Sequence, residues 1–382
     1  MRIAAVTNRF IIGEGQGRVN VELAQTAARN GHVVTCLAHQ VDDQLLMEPN
    51  VEWVPMPNAN SPLALIGNQR FAYATTRWLQ THGRDIDLVV GNGFGTWAPI
   101  DVNIVHFVHS AWRTSAVHDS QVRKDLHSAY QWLYSAVNAR LERRALQRSR
   151  HVVAVSEKVR DELLEIDVPA ERISVIHNGV DVDEFNPTAA GAADRGALGL
   201  PDCSPLGLFV GDIRTPRKGL DTILAALRAV PKMHLAVAGA TEGSTFPALA
   251  HQYDLTDRVH FLGFRKDIPA LMASSDFFVF PSRYEACSLV LLEAMAAGLP
   301  IITAQTAGGA ELVDPTAGIV LDDPDDTRAL SDALFQLAED SPHRQEMSRA
   351  ARQIAEGHTW NQMSQYYIGL FNKIIQSNHV LL

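Results

Sequence analysis

The chain has 382 residues, 46% of them hydrophobic and 20% charged, with a formal net charge of −10. That length exceeds one ordinary core and predicts two domains of a soluble globular enzyme, and the negative balance argues against nucleic-acid binding. Cys36, Cys203 and Cys287 have neither disulfide-framework nor zinc spacing, residues 1–20 lack a signal-peptide pattern, and no apolar run reaches the roughly 18 residues of a membrane span, so a reducing cytoplasm is the expected compartment.

Residues 1–8 read as a strand, followed by a turn with Gly13, Gly15 and Gly17. A helix over Asn20–Asn30 follows, with Val21, Ala24, Ala27 and Ala28 at helical spacing and Gly31 as its stop. Val33–Leu37 is the next strand, which makes this the opening of a doubly wound domain. Further strands are predicted at Leu88–Val90 and Asn103–Val108, then one long helix over Asp119–Gln147 with Tyr130, Trp132 and Tyr134 in core or groove positions. Strand Val152–Val155 leads to Ser156, a cap for helix Glu157–Glu165. Residues 1–180 hold 18 basic and 18 acidic side chains, so the whole negative balance lies beyond them. Within this neutral half, Arg140, Arg143, Arg144, Arg148 and Arg150 crowd one segment, either a solvated helix face or a surface for an anionic partner such as lipid.

Asn186–Pro205 loses periodicity and reads as a linker, giving expected domains at 1–185 and 206–358 and a terminal segment at 359–382. The second domain restarts the alternation: strand Leu206–Gly211, helix Leu220–Ala229, strand His234–Gly239, helix Phe246–Tyr253, strand Val259–Leu262, helix Ile268–Ser274. Strand Phe277–Phe280 then opens the stretch PSRYEACSLVLLEAMAAGLP, which sets Glu285 and Glu293 eight residues apart before strand Ile301–Ala304. Two carboxylates at a strand's carboxyl end suit sugar hydroxyls, while the N–H groups of Ser288, Leu289 and Val290 suit a phosphate beside them. Between the first strand and helix of this domain, Arg214, Arg217 and Lys218 put three cations in five positions, which suits a diphosphate or else serves surface solubility. The terminal helix, Trp360–Ile375, carries Tyr366, Tyr367, Phe371 and Ile374 as its expected apolar face.

Three other features carry weaker signals. The loop Gly13–Arg18 is either a plain turn or a place where backbone approaches a ligand. His106 and His109 fall on opposite faces of an extended strand and make poor joint metal ligands. Asp181-Val182-Asp183 looks like a metal-binding D-x-D but follows a turn and reads as structural, and Asp322, Asp323, Asp325 and Asp326 read as a solvated acidic turn before a helix.

Taken together, these residues resemble family 4 of the retaining glycosyltransferases. The markers are the Gly15 loop with Gly31-His32, Val108-His109, Val153–Glu157, Asn178–Asp181, Arg217–Gly219, and Glu285/Glu293 followed by Gly308-Gly309 and Glu311. Within the family the closest likeness is to bacterial lipopolysaccharide-core glucosyltransferases. The resemblance implies an α/β, GT-B fold, with two facing Rossmann-like domains of parallel strands and a C-terminal helix crossing back. It implies that Glu285 holds donor-sugar hydroxyls, Glu293 the ribose, and Arg217 and Lys218 the diphosphate. Gly15 packs near the donor phosphates, His109 lies by the sugar, and Gly263, Phe264 and Arg265 frame the base. Cys287 and Ser288, with Ala286, stand where relatives often have Gly-Phe-Gly, and small residues there still admit a ligand. Asp212 replaces a common Arg, and Arg214 is the candidate to take over its role.

The expected function is transfer of a hexose from a UDP- or GDP-sugar to a hydroxyl acceptor on a sugar, lipid-linked glycan or small molecule. Retention, no cofactor, no metal and no nucleic-acid partner are expected, with peripheral membrane contact through the arginine-rich helix. The expected catalytic set is His109, Lys218 and Glu285. The alternatives are an epimerase or phosphorylase of the same fold, or a non-catalytic nucleotide-sugar-binding subunit.

Overall fold

The structure is a computed structural model that describes residues 1–58, 64–122, 124–188, 195–202 and 205–379. It divides into two compact units, Met1–Gly179 with Trp360–Leu382, and Val180–Thr359. The chain thus enters the second unit at Val180, ahead of the Pro-rich stretch read as a linker. Positions 189–194 and 203–204 of that stretch, Cys203 among them, lie outside the described residues.

The first unit is built on a seven-stranded parallel sheet. Its spatial order is Val51–Pro55, Val33–Ala38, Arg2–Val6, Leu88–Asn92, Val102–Val105, His151–Ala154, Ile173–Val175. The chain therefore winds outward in both directions from Arg2–Val6, and the switch point lies between that strand and Leu88–Asn92. The helix predicted from Asn20 begins at Gly15 and runs to Arg29. Gly31 follows with φ +81°, and His32 N donates to Ala27 O while Gly31 N donates to Ala28 O, a Schellman ending. Ser156 caps Glu157–Glu165 by accepting from Val159 N at 3.1 Å.

Three predicted boundaries shift. The strand expected to reach Val108 ends at Val105, and His109 instead opens the short helix His109–Thr114. The single helix over Asp119–Gln147 is two, Asp119–Val122 and Leu126–Arg148, because Asp125 and Ser128 form a capping box that starts the second. The terminal helix, Trp360–His379, lies on Gly15–Arg29 in the first unit. Tyr367, Phe371 and Ile374 are buried as expected, but Tyr366 is exposed; Met363 and Ile368 complete the face instead. The i, i+4 rows of this helix run 363–367–371, and Tyr366 falls outside them.

The second unit holds a six-stranded parallel sheet in the order Val259–Gly263, His234–Ala238, Leu206–Val210, Phe277–Phe280, Ile301–Ala304, Gly318–Leu321. Its central strands, LGLFV, FFVF and IITA, are apolar nearly throughout because helices cover both faces. Phe209, Phe277, Phe278 and Phe280 are fully buried at its centre. The switch point lies between Leu206–Val210 and Phe277–Phe280, the strands that feed the cationic loop and the glutamate loop.

Candidate functional site

In a doubly wound sheet the loops leaving the two switch-point strands diverge to opposite sides and leave a crevice between them. In the second unit those loops are Gly211–Gly219 and Pro281–Ser288, so the sequence features read separately meet at one place. Their contact is backbone to backbone. Gly219 has φ +76°, and a β-carbon on it would stand 2.2 Å from Pro281 O. Arg217 O accepts from Arg283 N at 2.8 Å and from Ser282 Oγ at 3.1 Å.

Arg283, which the sequence reading passed over, staples the junction. Its guanidinium makes two parallel bonds to Asp221 (2.8 and 2.9 Å), reaches Thr222 Oγ1 and Pro216 O, and bonds Asp325 at 2.8 Å. Asp325 belongs to the turn read as merely solvated. That turn has a structural partner, and Asp326 caps Thr327–Glu339 by accepting from Ala329 N. A motif search weights residues that face ligand; Arg283 faces protein, so no such signal marks it.

Glu285 lies where the two loops converge. Its carboxylate pairs with Lys218 Nζ and, at 3.1 Å, with Arg217 Nη1. Glu285 and Lys218 side chains are each only 13% exposed, so these charges interact across a poorly solvated gap. Burial pulls Lys218 below the ordinary lysine pKa; Glu285 opposes that fall and Arg217 adds to it. The ammonium also sits 4.9 Å from the Phe280 ring centroid.

A third loop holds the glutamate loop from the other side. Glu285 bridges Ala307, Gly308 N donates to Glu285 O, and Gly308 O accepts from Ser288 N, both at 2.9 Å. A β-carbon on Gly308 would stand 1.8 Å from Ala286 O. This bonding corrects one expectation. Ser288 N–H is engaged by Gly308, so the first-turn donors without an intrahelical acceptor are those of Leu289 and Val290. Glu293 lies one turn into that helix, Leu289–Ala296, eight residues beyond Glu285 in sequence, and Cys287 is partly buried in the loop.

The remaining cations are engaged differently. Arg214 makes a two-pronged pair with Asp212 (2.8 and 3.0 Å), and that hydrogen bonding holds the Asp212 carboxyl below its usual range. The residue expected to replace a missing arginine is thus neutralised by the aspartate that displaced it. Arg265 pairs with Asp267 at the end of Val259–Gly263, while Phe264 beside it is 75% exposed. The carboxyl edge here is lined with glycine: a β-carbon on Gly239 would stand 2.3 Å from Gly211 O, and Gly263 has φ +70°.

In the first unit the loop after Arg2–Val6 ends at the helix Gly15–Arg29. Its steric constraint lies at Gly17, where a β-carbon would meet Ile11 O at 2.5 Å, and at Gly13, with φ +100°. Gly15 is the first helical residue, and the loop is tied by Arg9 to Glu14. His109 stands at the carboxyl end of the sheet. Glu142, in the segment read as an arginine-rich face, accepts from its backbone N at 2.9 Å and lies 3.2 Å from its Nδ1. His106 is held by burial down to about 4 and is neutral at neutral pH. Asp181 folds back on its own turn, accepting from Asp183 N and Glu184 N.

The family model for "Glycosyltransferase Family 4" matches residues 13–184, and that for "Glycosyl transferases group 1" matches residues 192–354. A D-inositol 3-phosphate glycosyltransferase of Xylanimonas cellulosilytica is 32% identical over 224 residues, 55% of this chain and 54% of that protein. The lipopolysaccharide glucosyltransferase WaaG of Escherichia coli is 35% identical over 146 residues, 37% of this chain and 39% of that one. The chain spans about half the length, or less, of the curated relatives it matches. A solved structure of WaaG superposes with a TM-score of 0.75 at 23% identity, covering 97% of this chain and 99% of that chain. One of Anabaena Alr3699/HepE with UDP-glucose gives 0.71 at 21%, covering 98% and 100%. These structural likenesses establish the GT-B fold.

Gly219→Ala and Gly243→Ala separate close approach from backbone strain, since both glycines have φ +76° but only Gly219 touches another loop. Gly243→Ala is expected to cost about 1–2 kcal/mol from strain alone. Gly219→Ala is expected to cost more, because its β-carbon also meets Pro281 O. Urea unfolding of the two variants checks this, and equal loss of stability contradicts the loop contact.

Proposed function

We propose that this chain, which belongs to the GT-B glycosyltransferases, is a retaining hexosyltransferase that uses a UDP- or GDP-sugar and a hydroxyl acceptor in cell-surface glycan or glycolipid synthesis. The observation that carries the reading is the meeting of Arg217, Lys218 and Glu285 at the switch point of the second sheet. A diphosphate there finds two cations, the first-turn N–H groups of Leu289 and Val290, and glycine-lined strand ends. Glu285 supplies acceptor oxygens for sugar hydroxyls, Glu293 serves the ribose, and Phe264 and Arg265 border the base. His109, on the first unit, serves the donor sugar.

In the proposed reaction the anomeric carbon–oxygen bond to the diphosphate breaks through an oxocarbenium-like state, and the acceptor oxygen bonds to the same face. The acceptor's proton passes to the departing diphosphate oxygen. Arg217 and Lys218 stabilise the charge that grows on that oxygen, the task that a metal performs in other transferases. Their presence supports a metal-independent reaction. Glu285 is already committed to two cations, which favours hydroxyl recognition over attack on the anomeric carbon.

With EDTA present, transfer from a UDP- or GDP-hexose is expected to persist in the wild type and to fall by about 100-fold or more in Lys218→Ala and in Glu285→Ala. Proton NMR of the product is expected to give the donor's anomeric configuration. Full activity in both variants contradicts the site. Donor binding without transfer identifies a binding subunit, and epimerised donor without acceptor identifies an epimerase.

The proposal places the protein in the cytoplasm, in peripheral contact with the membrane. No helix among the described residues is long and apolar enough to cross a membrane. Helix Leu126–Arg148 exposes Arg140, Arg143, Arg144 and Arg148, with Trp132 and Leu133 also exposed. Sedimentation with vesicles should carry the protein down with anionic lipid and not with neutral lipid; no binding to either rejects the contact.

A further inference from the structure

Glu142 is an unusual residue to find inside the first unit. Its side chain is 4% exposed, on a helix whose outward face is basic. A buried carboxylate is strongly unfavourable unless hydrogen bonds compensate its lost hydration. Both of its oxygens are turned to one residue: Oε2 accepts from the backbone N of His109 at 2.9 Å, and Oε1 lies 3.2 Å from its Nδ1. The opposite wall is Gly93, with φ +60°, whose missing β-carbon would stand 3.5 Å from Oε1. Gly93 is in turn fixed through its carbonyl by Asn103 Nδ2 at 3.0 Å. The pocket for this carboxylate is formed at the carboxyl ends of Leu88–Asn92 and Val102–Val105, the ligand-bearing edge of such a sheet.

An ionised carboxylate only accepts hydrogen bonds, so an imidazole nitrogen facing it must carry the proton. In the neutral form of the ring the other nitrogen, Nε2, then holds a lone pair. The His109 side chain is 26% exposed, and Phe107 packs edge-on against its ring at 5.1 Å between centroids. We propose that Glu142 is the positioning residue for His109: it fixes the ring and selects the tautomer in which Nε2 accepts a hydrogen bond from a donor-sugar hydroxyl. This inference rests on the reading that His109 serves the donor sugar, and it adds which atom does so and what orients it. The second bond, to the backbone of His109, lets the same carboxylate cap the helix that begins there.

The test combines tautomer and activity. In the wild type, nitrogen-15 NMR of the His109 ring is expected to show Nδ1 protonated and Nε2 bare; in Glu142→Leu that preference is expected to be lost. Transfer by Glu142→Leu is expected to fall about 10- to 100-fold, by analogy with the loss of the partner that orients a metal-bound histidine. Glu142→Gln, whose amide oxygen still accepts, is expected to recover most of it. In the double variant with His109→Ala, transfer is expected to be no lower than in His109→Ala alone, because Glu142 acts through His109. A protonated Nε2 in the wild type, or losses that multiply in the double variant, would overturn the proposal. Loss in His109→Ala beside full activity in folded Glu142→Leu overturns the proposal alone, whereas full activity in His109→Ala overturns the underlying reading of His109. If Glu142→Leu does not fold, the wild-type spectrum and Glu142→Gln decide.

Discussion

The contact of Gly219 with the carbonyl of Pro281 is the constraint on which the second unit's site depends. Two loops that leave neighbouring strands would normally be separated by side chains. Here a glycine in the left-handed region removes the side chain, and the backbones touch. Arg283 locks the contact by bonding across it to Pro216 O and Asp221 while reaching Asp325 in the turn before Thr327–Glu339. Gly308 sets the opposite limit by pressing on Ala286. With both sides fixed, Lys218 and Glu285 have little freedom to part.

That enforced proximity explains the electrostatics. At an effective dielectric constant near 20, unit charges about 4 Å apart interact by about 4 kcal/mol, enough to offset a substantial loss of hydration. The balance is visible in Lys218, where burial outweighs the attraction of Glu285 and the pKa falls. Arg217 and Lys218 both face the one Glu285 carboxylate, the arrangement on which the proposed diphosphate site rests. Asp212 works the other way. By pairing with Arg214 it withdraws a third cation from the site, so that the proposal assigns the diphosphate to Arg217 and Lys218.

Much of this was legible in the sequence because parallel sheets buried on both faces announce themselves. FFVF and IITA are apolar runs of strand length, and each ends in a loop rich in small or charged residues. Two kinds of information were not legible. One is local competition for helix starts: Asp125 and Ser128 split a periodic stretch that looks continuous, and His109 begins a helix where the apolar pattern suggested more strand. The other is pairing at long sequence separation. Arg283 with Asp221, and Glu142 with His109, are 62 and 33 residues apart, and nothing in either neighbourhood names the partner. Arg214 is the reverse case. Its charge was plain in sequence, and so was Asp212, but two residues of spacing did not reveal that one would consume the other.

The central claim is that Arg217 and Lys218, held against Glu285, form a nucleoside diphosphate site. Calorimetric titration with UDP and GDP, against uridine and guanosine as controls, tests it most directly when run on the wild type and on Arg217→Ala/Lys218→Ala in EDTA. The account predicts that one of the diphosphates binds far more tightly than its nucleoside, that added salt weakens it, and that the double variant removes the advantage. Equal affinity of wild type and double variant for both diphosphates would contradict it.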